Sequence, residues 1–67
     1  MEFSTGDKVK FIDKDDYEYD DLKDEVLTVV DIKSYPGGNL ELLVENEEYY
    51  FQESLNQFEL IEREGEY

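Results

Sequence analysis

Carboxylates and tyrosines crowd the stretch from residue 13 to residue 25, which carries the densest chemistry in this chain. Eight acidic residues and two lysines give the stretch a net charge of −6. Closely spaced oxygen ligands are what hard cations such as calcium prefer. An EF-hand loop starting at Asp13 would nevertheless place Tyr17 at its third acidic position and Glu18 at its turn glycine. A divalent-cation-binding loop is therefore one hypothesis for this stretch, and the weaker one.

The same side chains could instead bind a protein with a basic surface. Acidic residues at short intervals present negative charge much as a nucleic-acid backbone does, so they could occupy the phosphate site of a nucleic-acid-binding protein. Tyrosine is favoured at interface hot spots, although Tyr17 and Tyr19 could equally cover one end of the fold. We expect the protein contacts to come from Asp13, Asp15, Asp16, Tyr17, Glu18, Tyr19, Asp20 and Asp21.

Catalysis is not expected, because the chain lacks the side chains that most often transfer protons near neutral pH. It contains no His and no Cys, and its carboxylates are so numerous that no close pair of them is informative. The sequence shows no phosphate-binding loop, dinucleotide-binding glycine pattern or nucleophile elbow. We therefore predict a protein that is not an enzyme, and we identify no catalytic, cofactor-binding or metal-binding residue apart from the calcium hypothesis above.

The charge balance is the most unusual property of the composition. Twenty Asp and Glu residues against six Lys and Arg residues give the 67-residue chain a formal net charge of −14. Such a field repels nucleic acid and anionic membranes and attracts basic surfaces. We therefore expect a protein partner with a basic surface, and no direct binding to nucleic acid or membranes. Solubility, or adaptation to a salty host, is the alternative explanation of the charge.

Neither a membrane span nor a secretory signal is predicted. Apolar runs stay far below the ~20 residues of a transmembrane helix, and the first four residues lack the basic-then-apolar layout of a signal peptide. The default expectation is a cytoplasmic protein. Apolar residues make up 39% of the chain and ten residues are aromatic, which is enough for one compact domain without disulfides.

A run of β-branched residues at positions 24–32 predicts the central strand of the fold. Five β-branched residues and one leucine, without Gly or Pro, are typical of a strand buried on at least part of both faces. Val9 and Phe11 alternate with lysines and should point inward from a first strand. In all, the patterning predicts five strands, at residues 8–12, 24–32, 40–45, 48–52 and 58–62.

The connections between these strands carry their own signals. Pro36-Gly37-Gly38-Asn39 is the clearest turn in the sequence and should join two antiparallel strands. Residues 53–57 fit a single helical or 3₁₀ turn, residues 13–23 should form a long acidic loop with Leu22 packed against the core, and residues 63–67 a frayed tail. Tyr49 and Tyr50 must face opposite sides of the fourth strand, so one of them should be an exposed aromatic and a second, weaker candidate surface.

Five short strands, a long first loop and a 3₁₀ turn before the last strand resemble the small SH3-like β-barrels. The matching stretches are residues 6–11, 22–30 and 50–61. The resemblance implies an all-β, five-stranded SH3-like barrel that forms a single domain over residues 1–67, with its core at residues 6–62. Small phage and prophage proteins are among the members that the chain resembles in size. The fold hosts many functions, so it implies no single one.

Peptide-binding SH3 domains resemble this chain at Tyr17-Glu18-Tyr19-Asp20, which is similar to their aromatic and acidic opening motif. The tryptophan of their groove is missing, and the predicted 3₁₀ turn has no proline, whereas polyproline recognition depends on an aromatic groove. The leading hypothesis is therefore a non-catalytic acidic protein-binding module, of the kind used by phages or mobile elements as inhibitors that imitate nucleic acid. The alternative is an SH3-like adaptor or assembly domain that binds a peptide or a subunit surface.

Overall fold

The computed structural model describes residues 3–12, 22 and 25–63, and these residues form one antiparallel β-sheet. The strands lie in the order β4-β3-β2-β1-β5, and every neighbouring pair is antiparallel. The all-β, five-stranded prediction is confirmed, as is a 3₁₀ turn directly before the last strand. The elements are β1 (Lys8–Phe11), β2 (Leu27–Tyr35), β3 (Asn39–Glu45), β4 (Tyr50–Ser54), the 3₁₀ turn (Leu55–Gln57) and β5 (Phe58–Glu62).

The two edge strands of the sheet are brought together by the turn that joins them. In a flat sheet β4 and β5 would lie about 19 Å apart, four strand spacings of roughly 4.8 Å. The three residues of the 3₁₀ turn bridge far less than that, because such a turn rises only about 2 Å per residue. The sheet must therefore curl. Phe51 of β4 and Phe58 of β5 accordingly stack with their ring centroids 6.1 Å apart, and Phe11 of β1 packs edge-on against both at 5.6 Å.

Alternating apolar residues fill the inside of the curled sheet. Val9 and Phe11 point inward as predicted, and Leu22 packs into the core as predicted. Phe3, which precedes the first strand, is also buried. The buried apolar side chains are Phe3, Val9, Phe11, Leu22, Leu27, Val29, Leu42, Val44 and Phe58.

The prediction for the central strand was wrong in its position and in its burial. The strand runs from Leu27 to Tyr35 rather than over residues 24–32. Its fully buried side chains, Leu27 and Val29, lie on one face, whereas Val30 on the other face is 39% exposed. A register shift lies between Val29 and Asp31, so Val30 is the extra residue of a β-bulge. Because a bulge lets two successive side chains break the inward and outward alternation, a run of β-branched residues here does not mean two buried faces.

A second β-bulge lies where β1 pairs with β5. The pairing of β1 with β5 shifts between Lys8 and Val9, whose partners are Glu62 and Leu60. Ile61 is the residue left over, and it is 48% exposed. Val30 and Ile61 each follow an inward residue, Val29 and Leu60, so ordinary alternation places them outside. Their exposure is explained without invoking a binding surface.

The connections match the predicted types with shifted boundaries. The turn at Pro36 to Gly38 joins β2 to β3, and Gly37 and Gly38 have φ values of 92° and 85°, which favour glycine. Strand β4 begins two residues later than predicted, because residues 46–49 form the loop before it, and the 3₁₀ turn is shorter than predicted. β5 has its predicted bounds. The predicted acidic loop, at residues 13–23, lies outside the described residues except for Leu22, and so do residues 64–67 of the tail.

Asp7 is a buried carboxylate, 2% exposed, that fastens the N-terminal segment to β2. The backbone N–H of Ser4 donates to its Oδ2 at 2.8 Å. Its own carbonyl accepts from the N–H of Val29 at 2.9 Å, next to a bond from Gly6 N–H to the Val29 carbonyl at 2.8 Å. This turn therefore holds β2 immediately before its bulge, and burial of the carboxylate is compensated by hydrogen bonding.

Asn46 organises the β3–β4 loop with one side chain. Its Oδ1 accepts from the backbone N–H groups of Glu48 and Tyr49, each at 2.8 Å. Its Nδ2 donates to Glu25 Oε1 at 2.8 Å and to the Val26 carbonyl at 3.2 Å. The loop is thereby tied to the segment that enters β2, on the far side of β3.

We predict that Asn46→Ala lowers the free energy of unfolding by about 1–2 kcal/mol, because two loop N–H groups lose their acceptor. Asn46→Asp keeps that acceptor but sets a second carboxylate against Glu25, so it should also destabilise the fold, and less so in high salt. Urea unfolding monitored by circular dichroism measures both effects through the midpoint.

Asn56→Ala is the matched control, because Asn56 is exposed in the 3₁₀ turn. We expect it to change the free energy of unfolding by less than about 0.5 kcal/mol. Equal losses in Asn46→Ala and Asn56→Ala would contradict a structural role for the Asn46 side chain.

Candidate functional site

Strand alternation places two tyrosines and several charged residues on the outer surface of β2, β3 and β4. The inward side chains of these strands include Ile32, Leu42, Val44 and Phe51, so their neighbours along each strand point outward. Cross-strand pairing then sets Glu45 beside Tyr50 and Leu43 between Asp31 and Gln52. We name this surface the tyrosine face and define it by Asp31, Lys33, Tyr35, Glu41, Leu43, Glu45, Tyr50 and Gln52.

A hydrogen-bonded chain crosses the tyrosine face from β2 to β4. Gln52 Nε2 donates to Tyr35 Oη at 2.7 Å and to Glu41 Oε1 at 2.7 Å. Tyr35 lies on β2 and Gln52 on β4, with β3 between them, so the tyrosine ring must extend over β3. The bonds fix the direction of the Tyr35 hydroxyl and of the Glu41 carboxylate, which therefore present a defined surface.

Tyr50 is the most exposed of the large apolar side chains described, at 66%, while Tyr35 is 42% exposed. The other tyrosine of the pair, Tyr49, is half-buried and packs against the core. The prediction that one of the two is exposed is confirmed, and Tyr50 is that one, although Tyr49 lies in the loop before β4 rather than on the strand. A phenol ring held out from a strand next to a carboxylate, as Tyr50 is beside Glu45, can contact an apolar or cationic group.

An ion pair lies on the same face. Lys33 Nζ is 3.0 Å from Asp31 Oδ2, and the backbone N–H of Ile32 donates to Asp31 Oδ1 at 2.8 Å. The hydrogen bond from Lys33, then that from Ile32, holds the pKa of Asp31 below its ordinary value. The pKa of Lys33 is raised, first by the hydrogen bond to Asp31 and its charge, with smaller contributions from Tyr35 and Tyr50.

The described surface is strongly negative. Residues 3–12, 22 and 25–63 contain ten acidic and four basic side chains, so they carry −6 of the total charge. Asp7 is the one of these ten acids that is buried. The other nine are at least partly exposed. Because exposed charges on one small domain add into a field that reaches several Å into solvent, a basic surface is attracted before it makes contact.

A shallow groove of about 470 Å³ lies between the N-terminal segment and β5. It is lined by Phe3, Ile12, Phe58, Glu59, Leu60 and Arg63. Four of the six lining side chains are apolar, and Phe3 and Phe58 belong to the core. Within the described ranges, no cluster of three or more His, Cys, Asp or Glu side chains is arranged to hold a metal ion.

The eight residues predicted to make protein contacts lie outside the described residues, so they remain a sequence-based prediction. They are Asp13, Asp15, Asp16, Tyr17, Glu18, Tyr19, Asp20 and Asp21. The structure instead brings together residues that the sequence analysis had divided between a strand and a turn. Tyr35 lies beyond the predicted end of the central strand at residue 32, and its place on β2 is visible only because that strand continues to residue 35.

We predict that Lys33→Gln raises the pKa of Asp31 toward its ordinary value, because the ammonium partner is lost. The pKa of Asp31 should stay somewhat below its ordinary value, since the backbone N–H of Ile32 still donates to its carboxylate. Because the pKa of Asp31 is lower in the folded than in the unfolded state, its ionised carboxylate stabilises the fold above about pH 4. This stabilisation is lost as the pH falls through the folded-state pKa. Carboxyl-detected NMR titration measures the shift directly. Lys10→Gln is the control, and an Asp31 pKa that responds equally to both substitutions would refute the pairing.

The comparisons with known proteins leave function to be inferred from the chain's own charge, exposure and geometry. Neither a family model, nor a curated protein, nor a solved structure matches this chain. Among the described residues, no helix is both long enough and apolar enough to cross a membrane.

Proposed function

We propose that this chain is a non-catalytic protein-binding module that captures a protein with a basic surface. The observation that carries the proposal is the surface charge: nine of the ten described acids are at least partly exposed, on a chain with a net charge of −14. Like charges on a small domain cost stability through their mutual repulsion. A partner that contributes positive charge relieves that repulsion, so binding and stability favour the same kind of partner.

The nature of the basic partner follows from the same charge pattern. Proteins that bind nucleic acid carry clustered Lys and Arg residues that neutralise phosphates. An acidic domain that presents carboxylates at short intervals competes for those residues. We therefore propose a nucleic-acid mimic, of the size and charge found among small inhibitors encoded by phages and mobile elements. The acidic residues at positions 13–21 would extend the surface that the described strands provide.

We further propose that the curled sheet is an SH3-like barrel. The support is the strand order β4-β3-β2-β1-β5, with consecutive strands β4 and β5 at opposite edges, and the 3₁₀ turn that joins them. The stacking of Phe51 on Phe58 is the contact expected where such a sheet closes. The fold by itself assigns no function.

A second candidate function is an adaptor or assembly domain that binds a peptide or a subunit surface. The exposure of Tyr35 and Tyr50 on one sheet face, with Leu43 on the strand between theirs, favours it. Aromatic side chains are enriched at the centre of interfaces and carry much of their binding energy. Such a contact relies on apolar burial, so it should depend weakly on salt.

We predict that the immobilised protein retains basic nucleic-acid-binding proteins from a lysate, and that added duplex DNA or RNA releases them at low salt. The reason is that a mimic and a nucleic acid compete for the same cationic site. The measurement is the identity and amount of protein in the nucleic-acid eluate. The control variant changes Asp15, Asp16, Asp20 and Asp21 to Asn, which removes four negative charges and should weaken retention.

Retention that survives both high salt and nucleic acid would favour the adaptor, because neither competes with apolar burial. A partner held equally by the wild type and by the neutralised variant would place the binding surface away from residues 13–21. Retention that requires calcium would support the divalent-cation loop instead.

A further inference from the structure

We propose that the tyrosine face is a docking surface for arginine side chains of the basic partner. This inference rests on the proposed function and assigns the contact to a particular part of the sheet. It concerns the outer surface of β2, β3 and β4, and so it differs from the earlier prediction, which placed the contacts at residues 13–21.

Arginine suits this face because the face offers both kinds of group that a guanidinium recognises. The rings of Tyr35 and Tyr50 are exposed and can stack on its plane. The carboxylates of Glu41 and Glu45 lie on β3, between the strands that carry the two tyrosines, and a carboxylate can accept two parallel hydrogen bonds from one guanidinium. A lysine ammonium would find the charge but would lose the planar stacking and the paired hydrogen bonds.

The face already holds one cation of the protein's own. Lys33 Nζ sits 3.0 Å from Asp31 Oδ2. A carboxylate of this face therefore already pairs with a cationic side chain. Glu41 keeps its negative charge uncompensated, since the group that bonds it is the neutral amide of Gln52.

The rigidity of the face favours specific recognition over loose ion condensation. Gln52 bonds both Tyr35 and Glu41 at 2.7 Å, so these two groups are held in place before any partner arrives. Preorganised groups bind with a smaller loss of conformational entropy. A diffuse cloud of mobile carboxylates, by contrast, attracts any cation in proportion to its charge.

Charge complementarity also excludes two other occupants of the face. A second copy of this chain would bring another −14 against the same carboxylates, and like charges in juxtaposition disfavour association. Nucleic acid is repelled for the same reason. The occupant that the charges favour is therefore a basic segment of a different protein, and arginine is the residue that also uses the tyrosines.

The test is the binding of a short peptide of alternating arginine and serine, measured by calorimetry and mapped by amide NMR shifts. A peptide of alternating lysine and serine with the same length is the comparison. Tyr50→Ala removes an exposed ring without changing charge, and Glu45→Gln removes one negative charge beside it. The matched controls lie on β5, away from the face: Ile61→Ala removes an exposed apolar side chain, and Glu59→Gln removes one charge.

We expect the arginine peptide to bind more tightly than the lysine peptide and to shift amides of β2, β3 and β4. Tyr50→Ala should weaken its binding about threefold, the scale of an exposed cation–π contact, and Glu45→Gln should weaken it more than Glu59→Gln does. Ile61→Ala should bind as the wild type does. Unfolding midpoints of all four variants confirm that they remain folded.

Two contrary outcomes separate this inference from the proposed function. If the arginine peptide binds but Tyr50→Ala and Ile61→Ala bind it equally, or if the shifts map elsewhere, the face is not the docking surface and the proposed function stands. Equal affinity for the arginine and lysine peptides would likewise overturn the arginine assignment. If neither peptide binds the wild type at low salt, the capture of basic proteins fails and the inference fails with it.

Discussion

The short link between β4 and β5 is the constraint on which the rest of this structure depends. Two strands at opposite edges of the sheet are joined by a 3₁₀ turn of three residues, Leu55–Gln57, so the sheet has to curl and bring its edge strands toward each other. Curling creates an inside, which Phe11, Phe51 and Phe58 fill with ring contacts of 5.6 to 6.1 Å. It also creates an outside that no second layer of described secondary structure covers. The tyrosine face is exposed because the core packs only against the inner surface of β2, β3 and β4.

The small core also determines where the charged side chains can lie. A domain of 67 residues buries only about 60% of the surface of its unfolded chain, and its interior has no room for unpaired carboxylates. Asp7 is the buried exception among the described acids, and a backbone N–H compensates for its burial. The remaining acids are forced to the surface, where they raise the field that attracts a basic partner. The small core of this fold therefore leaves most of its carboxylates on the surface, where the proposed function needs them.

Much of this fold could be predicted from local pattern, and the failures have identifiable physical causes. Val9 and Phe11 alternate with lysines, and this alternation alone predicts strand β1. Pro36 opens a glycine turn, and these neighbouring residues alone predict the turn between β2 and β3. The positions of the two bulges are not local in this sense, because only the register against a neighbouring strand shows that Val30 and Ile61 are the residues left unpaired. The tyrosine face was missed for the same reason, because Tyr35 reaches Gln52 across an intervening strand. Alternation predicted that one of Tyr49 and Tyr50 would be exposed, and the structure shows that it is Tyr50.

The position of Lys33 bears on how a negative surface can be selective. A face of carboxylates alone would attract every cation according to its charge, and salt would remove the attraction uniformly. Lys33 neutralises Asp31 within the face, so the exposed tyrosine rings make up a larger share of what the face offers to a cation. An incoming cation then gains from stacking as well as from charge. Stacking depends on the shape of the arriving cation and is less sensitive to salt than charge attraction. The ion pair between Lys33 and Asp31 therefore weakens the long-range attraction of cations, and it makes binding depend more on which cation arrives.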